Sequence, residues 1–128
     1  MTPALRKAFG YHGDAMNLPV GDVDTSIPFY ETVLGFHVVS RDDGPPKAVV
    51  LARDDVQMRL AENGGDPAQD GCAFHVDGLD ALMAAFGAAG LTISGVKDER
   101  HGGNAFRCFY VVAPDGLCYW FGERQEPV

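Results

Sequence analysis

Length, composition and charge argue against several classes of protein. The chain has 128 residues, 46% hydrophobic and 22% charged, a composition typical of one globular domain rather than of a disordered segment or a coiled coil. Its formal charge of -8 and the lack of any long Lys/Arg run argue against a nucleic-acid partner. No apolar stretch has the length of a membrane span, and residues 1–10 lack the apolar core of an export signal. The 3 cysteines form no CxxC pair, which indicates free thiols and a cytoplasmic location.

The first half of the chain predicts a strand, a helix and three more strands. Weak alternation favours a strand over residues 14–21, and helix-capping residues cluster at 22–26. Apolar residues then recur at helical spacing, with Pro28 expected in the first helical turn and Gly35 just after the helix end. The three further strands are predicted at 36–40, 47–52 and 56–60, with turns at 42–46 and 53–55.

The second half predicts the same order of elements. A strand is expected at 71–76, and a helix at 81–89 opened by Asp80, with Leu82, Met83 and Phe86 on its apolar side. Three apolar strands follow at 91–96, 105–112 and 117–121, with turns at 101–104 and 113–116.

The two halves therefore form an internal repeat. Val20, Val23 and Asp24 match Val76, Leu79 and Asp80 at one constant offset. The fold class predicted is α+β, with two pseudo-symmetric βαβββ modules forming a partly closed mixed sheet around a cavity. The predicted boundaries are an N-terminal extension at 1–13, a first module at 14–64, a linker at 65–70, a second module at 71–124 and a tail at 125–128.

Strand alternation divides each module into an apolar face and a mixed face. The apolar face should pack under the helices, and it consists of Met16, Leu18, Val20, Val56, Met58, Leu60, Cys72, Phe74, Val76, Leu117, Tyr119 and Phe121. The mixed face carries Ala15, Asn17, Pro19, Gln57, Arg59, Ala61, Gly71, Ala73, His75, Cys118, Trp120 and Gly122.

The mixed face predicts a ligand pocket, because its small residues leave room and its larger ones can reach into that room. Ala15, Gly71 and Ala73 are expected to supply the volume and Trp120 a stacking wall. The ligand-binding residues predicted here are Asn17, Gln57, Arg59, His75, Cys118 and Trp120. Arg59 would anchor an acid or carbonyl group, the amides and His75 would orient the ligand, and Cys118 would be inert lining. A solvated sheet face with Trp120 at a dimer contact is the alternative.

The sequence resembles a known superfamily in both halves. The run from Asn17-Leu18-Pro19-Val20 through Asp22-Val23-Asp24 to Phe29-Tyr30 and Leu34-Gly35-Phe36 is similar to the first module of the vicinal oxygen chelate superfamily. Val76-Asp77-Gly78-Leu79-Asp80 and Ala113-Pro114-Asp115-Gly116 extend the likeness to the second half. The superfamily includes glyoxalases, extradiol dioxygenases and bleomycin-binding proteins. The resemblance implies paired βαβββ modules around a cavity, in a homodimer.

The resemblance also implies where a metal would bind. Metal-using members place ligands at four inward positions, which correspond here to Ala15, Arg59, Gly71 and Trp120. None of these side chains is a ligand for a divalent cation, so no metal and no cofactor are expected. The chain is thus most similar to the metal-free, bleomycin-resistance branch, which would make it a cytoplasmic antibiotic-resistance protein that sequesters a small organic molecule.

Two other functions remain open at this stage. One is a divergent lyase, isomerase or dioxygenase-like enzyme with relocated metal ligands such as His12, His75 or Glu123, with Glu62 as another available carboxylate. The other is a structural dimer or protein partner without a ligand. His101 lies in a Gly-rich turn that either borders the cavity mouth as a gate or is a plain hairpin turn.

Overall fold

A computed structural model describes residues 2–11, 14–91, 93 and 95–125. These residues form two mixed sheets and two helices, which confirms the α+β class and the βαβββ order of each half. The strands are β1 Ala4–Gly10, β2 Leu18–Pro19, β3 His37–Asp42, β4 Ala48–Arg53, β5 Val56–Ala61, β6 Gly71–Asp77, β7 Lys97–His101, β8 Asn104–Val112 and β9 Cys118–Arg124. The helices are α1 Val23–Thr32 and α2 Leu79–Ala88.

Each module forms its own sheet. The first has the strand order β2-β5-β4-β3, and the second has the order β1-β6-β9-β8-β7. In both, the first and last strands of the module run parallel (β2 beside β5, β6 beside β9), and the remaining pairs are antiparallel. Neither sheet closes on itself. The apolar faces pack with the helices, and the opposite face of the five-stranded sheet carries no helix among the described residues.

The N-terminal strand β1 was not predicted from the sequence. It pairs antiparallel with β6, so a segment that precedes the first module completes the sheet of the second. Its Leu5 is fully buried, and both of its backbone groups bond to the turn of the first module: the N–H donates to the Asp54 carboxylate, and the carbonyl accepts from the Asp55 N–H. This strand therefore connects the two modules.

Two predicted strands differ in the structure. The strand expected at 14–21 is reduced to β2, because Met16 lies in a turn in which its N–H donates to the Asp14 side chain; Met16 is accordingly exposed rather than in the core. The strand expected at 91–96 is wrong for its described residues, and the strand is β7 instead. The Gly102-Gly103 turn fixes that hairpin and sets Lys97–His101 against β8, while Leu91, Ile93 and Val96 pack on the core without a strand.

Both helices form close to where they were predicted, but they begin differently. Asp22 caps α1 by accepting from the Thr25 N–H, and Pro28 lies in the second turn rather than the expected first. In α2 the N-cap is Gly78, which has a φ of 73° and no side chain to cap the helix. Glu123 supplies that cap from β9, since its carboxylate accepts the N–H groups of Gly78 and Leu79.

The core lies between the helices and the apolar faces of both sheets, as the alternation predicts apart from Met16. A polar cluster in this core joins the two modules. The hydroxyl of the fully buried Tyr30 of α1 donates a hydrogen bond of 2.7 Å to the Asp115 carboxylate. The same hydroxyl lies within hydrogen-bonding distance of the Tyr119 hydroxyl. Burial raises the pKa of both tyrosines, so both are neutral donors. No helix in the described part of the chain is long and apolar enough to cross a membrane.

Candidate functional site

A pocket of about 390 Å³ opens on the helix-free face of the five-stranded sheet. Strand register assembles its wall, because Phe9, Ala73, Trp120 and Tyr110 stand opposite one another on β1, β6, β9 and β8. The residues that line it are Tyr11, Ala73, His75, His101, Tyr110, Cys118 and Trp120. Because five of these seven side chains carry a ring, the pocket suits a flat, mainly apolar guest.

Trp120 forms the floor of this pocket. Its indole lies along β9 over Gly122, where a Cβ atom would come within 2.1 Å of the ring. The indole is 5% exposed and packs with the side chains of Phe106 and Cys108 from β8. Glycine at 122 is therefore required for Trp120 to lie flat against the sheet.

A second ring lies over a second glycine at the pocket edge. A Cβ atom on Gly71 would lie 1.8 Å from the Cys118 carbonyl oxygen and 2.6 Å from the ring of Tyr11. The sequence predicted that Gly71 would supply open volume in the pocket. That prediction is wrong, because the Cys118 carbonyl and the Tyr11 ring already fill the space beside Gly71. Ala73, between the two rings, does line the open pocket.

Glu99 gathers the polar side chains on one side of the pocket. Its carboxylate accepts hydrogen bonds from His101 Nε2 at 2.8 Å and from the Tyr110 hydroxyl at 3.0 and 3.2 Å. Trp120 is a third neighbour, although its buried Nε1 is outside hydrogen-bonding geometry to any acceptor among the described residues. His101, Tyr110 and Trp120 together lower the pKa of Glu99, so this carboxylate is charged at neutral pH.

Tyr110 is neutral at the same site. Burial, with the Glu99 carboxylate adding to it, raises the pKa of Tyr110 to about 12. Its hydroxyl therefore acts as a donor to Glu99 across the pH range in which proteins are usually studied. The Lys97 ammonium lies 5.8 Å from the centroid of the same ring, over the ring face.

Two histidines flank Trp120. His75 lies with its ring centroid 6.0 Å from Trp120 and 5.1 Å from both Phe9 and Phe106, whereas His101 lies 5.3 Å from Trp120 on the side of Glu99. Burial lowers the pKa of His75, with smaller contributions from Lys7 and His101. His75 is therefore a neutral imidazole at pH 7, able to donate or accept one hydrogen bond.

The structure brings together three of the six predicted ligand-binding residues. His75, Cys118 and Trp120 line one pocket. Arg59 lies on the other sheet, in a shallow depression beside Ser40 and Asp42, and Gln57 is exposed on the same strand. Asn17 accepts a hydrogen bond from Asn63 in a separate polar cleft. Within one chain these three do not share a site with Trp120.

Four side chains of the site were not among the predicted binding residues. Extending the alternation to β8 could have found Tyr110, whereas the wrong position of β7 prevented the prediction of Glu99. Tyr11 follows a strand that the sequence did not predict. His101 ends β7 at the expected hairpin turn and also lines the pocket, and its role as a gate stays a prediction.

The side chains at the family's metal positions do not fit a metal ion. Ala15 and Arg59 are joined through a backbone hydrogen bond, Gly71 is covered by Tyr11, and Trp120 offers an indole. No three His, Cys, Asp or Glu side chains in the described part of the chain are grouped so as to hold one.

The carboxylates named as substitute ligands are already engaged. Glu123 binds the N-terminus of α2, and Glu62 accepts a hydrogen bond from the Val23 N–H at the N-terminus of α1. Their matching positions at the ends of β5 and β9 reflect the internal repeat. His12, the other substitute, lies outside the described residues.

Comparison with known proteins agrees with this architecture. Residues 13–118 match the profile of the Glyoxalase/Bleomycin resistance protein/Dioxygenase superfamily. Similar solved structures include an integron cassette protein from the mobile metagenome of Vibrio cholerae, with 26% identity and a TM-score of 0.68, covering 86% of this chain and 92% of that one. No curated protein matches the sequence.

Two more solved structures carry descriptive names. A bleomycin resistance determinant encoded on transposon Tn5 is 29% identical, with a TM-score of 0.60, covering 88% of this chain and 96% of that chain. A lactoylglutathione lyase from Agrobacterium tumefaciens is 19% identical, with a TM-score of 0.64, covering 84% and 90%, and shows the likeness of fold alone. The fold and the pocket on its open sheet face define a protein of the vicinal oxygen chelate type. The chain belongs to the Glyoxalase/Bleomycin resistance protein/Dioxygenase superfamily.

Proposed function

We propose that this protein binds a small organic molecule without a metal, in the pocket over Trp120. The observation that carries this proposal is the pocket itself, about 390 Å³ and lined mainly by rings, on the sheet face that holds Gly71 and Trp120 at two of the family's metal positions. Antibiotic resistance by sequestration of a drug is the biological role that we propose for such a site, and the 29% identity to a bleomycin resistance determinant supports it.

The chemistry of the walls supports binding rather than catalysis. A carboxylate with a lowered pKa is a weak base, and a tyrosine with a raised pKa is a weak acid, so the Glu99–Tyr110 pair is suited to hold rather than to transfer a proton. The enzyme alternative gains no support from Glu123, whose carboxylate caps a helix. The three free cysteines are consistent with a cytoplasmic location.

We further propose that the protein is a homodimer in which a second copy covers the pocket. The pocket side of the sheet exposes apolar side chains, with Phe9 47%, Tyr11 44% and Val112 66% exposed. The outward face of the first sheet carries Gln57 and Arg59. If the first sheet of one protomer covers the pocket of the other, Gln57 and Arg59 of one protomer lie beside His75, Cys118 and Trp120 of its partner.

Binding is tested with N-phenyl-1-naphthylamine, an uncharged aromatic probe that can accept excitation energy from the single tryptophan, Trp120. The native protein is expected to bind it with quenching of Trp120 emission. Ala73→Leu places three extra carbons in the open pocket and should weaken binding at least tenfold, about 1.4 kcal/mol, without removing any contact of the fold.

The matched control is Ala84→Leu, at an exposed position of α2. It adds the same atoms to the opposite side of the second sheet and should leave binding unchanged. Equal affinity of the native protein and Ala73→Leu would refute the pocket. Trp120→Ala is a poorer test, because removing a ring that is 5% exposed is expected to destabilise the fold by about 3 kcal/mol or more.

A further inference from the structure

Glu99 is the one acidic side chain among the described residues that links two walls of the pocket. It stands on the edge strand β7, yet its carboxylate bonds to Tyr110 on β8 and to His101 at the hairpin tip. Both partners line the pocket, and the Trp120 floor lies beside the same carboxylate. Glu99 itself is not among the lining residues.

We propose that Glu99 is a positioning residue that fixes the walls of this pocket and makes its shape respond to pH through His101. This inference rests on the proposed function, since it concerns the regulation of the same binding site. Glu99 acts through other side chains and does not touch the bound molecule.

His101 is the last residue of β7, at the tip of the β7–β8 hairpin. His101 is 56% exposed, and Gly102 and Gly103, which follow it, both have positive φ, so they form a tight turn. The described side-chain contacts of His101 are the hydrogen bond to Glu99 and ring packing on Trp120 and Phe106. Loss of the Glu99 bond would therefore leave the His101 side chain held by ring packing alone.

Protonation of the imidazole strengthens this bond. An imidazole ordinarily gains a proton between pH 8 and pH 5, and a hydrogen bond from a charged imidazole to a carboxylate is shorter and stronger than one from a neutral ring. Glu99 keeps its charge over that range, because its pKa is lowered. The pocket wall at His101 is thus expected to be held more firmly as the pH falls from 8 to 5.

The other groups that face His101 do not oppose this change. Tyr110 and Cys108 on β8 have raised pKa values and stay neutral. His75 on β6 has a lowered pKa and stays neutral over more of the range, and Lys7 on β1 lies on its far side from β9. Lys97 on β7 is directed at the Tyr110 ring.

The test uses Trp120 emission, which needs no ligand. Its intensity is measured from pH 8 to pH 5 in the native protein, in Glu99→Gln and in His101→Asn. A change is expected in the native protein, because His101 packs edge-on against the indole. His101→Asn should abolish it, and Glu99→Gln should change its amplitude, since the hydrogen bond that holds the His101 ring beside the indole is gone.

Two controls make the result specific. Asp98→Asn removes the neighbouring exposed carboxylate of β7 and should leave the titration unchanged. His75→Asn should also preserve the change; a change that survives His101→Asn but disappears in His75→Asn overturns the inference. Identical titrations of the native protein and Glu99→Gln overturn it too. His101→Asn keeps the inference testable if Glu99→Gln fails to fold, because His101 is exposed.

Binding of N-phenyl-1-naphthylamine separates this inference from the proposed function. The dissociation constant of the native protein is expected to change at least threefold between pH 8 and pH 5, and that of His101→Asn less than twofold. A normal fluorescence titration in a protein that never binds the probe would refute the proposed function and leave the role of Glu99 in shaping the pocket intact. Probe binding that does not depend on pH would support the proposed function and refute the pH response of the pocket.

Discussion

At the residue scale, the site depends on a glycine rather than on a reactive side chain. Trp120 can form a floor because Gly122, two residues further along the same face of β9, has no Cβ. Alternation predicts that both residues share a face, but it does not predict that one lies upon the other. The sequence therefore identifies Trp120 as a wall but overestimates the open volume, because rings fill the space that the glycines leave.

Gly122→Ala is expected to displace the indole, because the new Cβ would lie 2.1 Å from Cη2 of Trp120. Overpacking of this kind costs about 1–3 kcal/mol, and it should also change the Trp120 emission spectrum. Urea unfolding followed by fluorescence measures both effects. Gly87→Ala is the matched control: it lies inside α2, meets no atom within 4 Å, and should stabilise the protein by about 0.5–1 kcal/mol without changing the emission. Equal stability of the two variants would contradict the account of the floor.

At the element scale, the sequence predicts best where a signal is local. Capping residues and glycines locate α1 and α2 to within about two residues. Strand β1 could not be predicted in the same way, because its paired residues in β6 are 62 to 73 positions further along the chain and only tertiary pairing selects it. Strand β7 was misplaced since the apolar run at 91–96 is the stronger strand signal, yet the tight turn at Gly102-Gly103 sets the pairing.

The two helices provide an internal comparison of capping. Glu123 is the side-chain cap described for α2, whereas α1 has both Asp22 and Glu62. Glu123→Gln is therefore expected to destabilise the protein by about 1–2 kcal/mol, because a charged acceptor at a helix N-terminus is replaced by a neutral one. Glu62→Gln should cost about half as much or less. Chemical denaturation at pH 7 measures the free energy of unfolding of both variants. A larger loss of stability in Glu62→Gln than in Glu123→Gln would contradict the conclusion that α2 depends more on its single described side-chain cap.

At the scale of the whole molecule, buried contacts join the two modules, but the helix-free faces of their two sheets do not form a common site. Leu5 and Tyr30 connect the modules through the core, while the pocket and Arg59 lie on different sheets. The sequence pattern could assign Arg59 and Trp120 to equivalent faces because of the repeat. It could not show that these faces are separate within one chain, since the repeat carries no information on how the copies are arranged.

A homodimer would bring the face that carries Arg59 in one protomer against the face that carries Trp120 in the other. A substitution at Val112 tests whether such a dimer forms. Val112 is 66% exposed on the pocket side of β8, opposite Cys118, so a charge there costs a monomer little. In a dimer that covers the pocket, Val112→Glu would bury an unpaired carboxylate and should weaken association at least tenfold. Sedimentation equilibrium measures the association constant, and N-phenyl-1-naphthylamine affinity is measured on the same samples. Ala84→Glu, on exposed α2, should alter neither. A native protein that remains monomeric at high concentration, or a Val112→Glu dimer as tight as the native one, would show that a partner does not complete the pocket through this face.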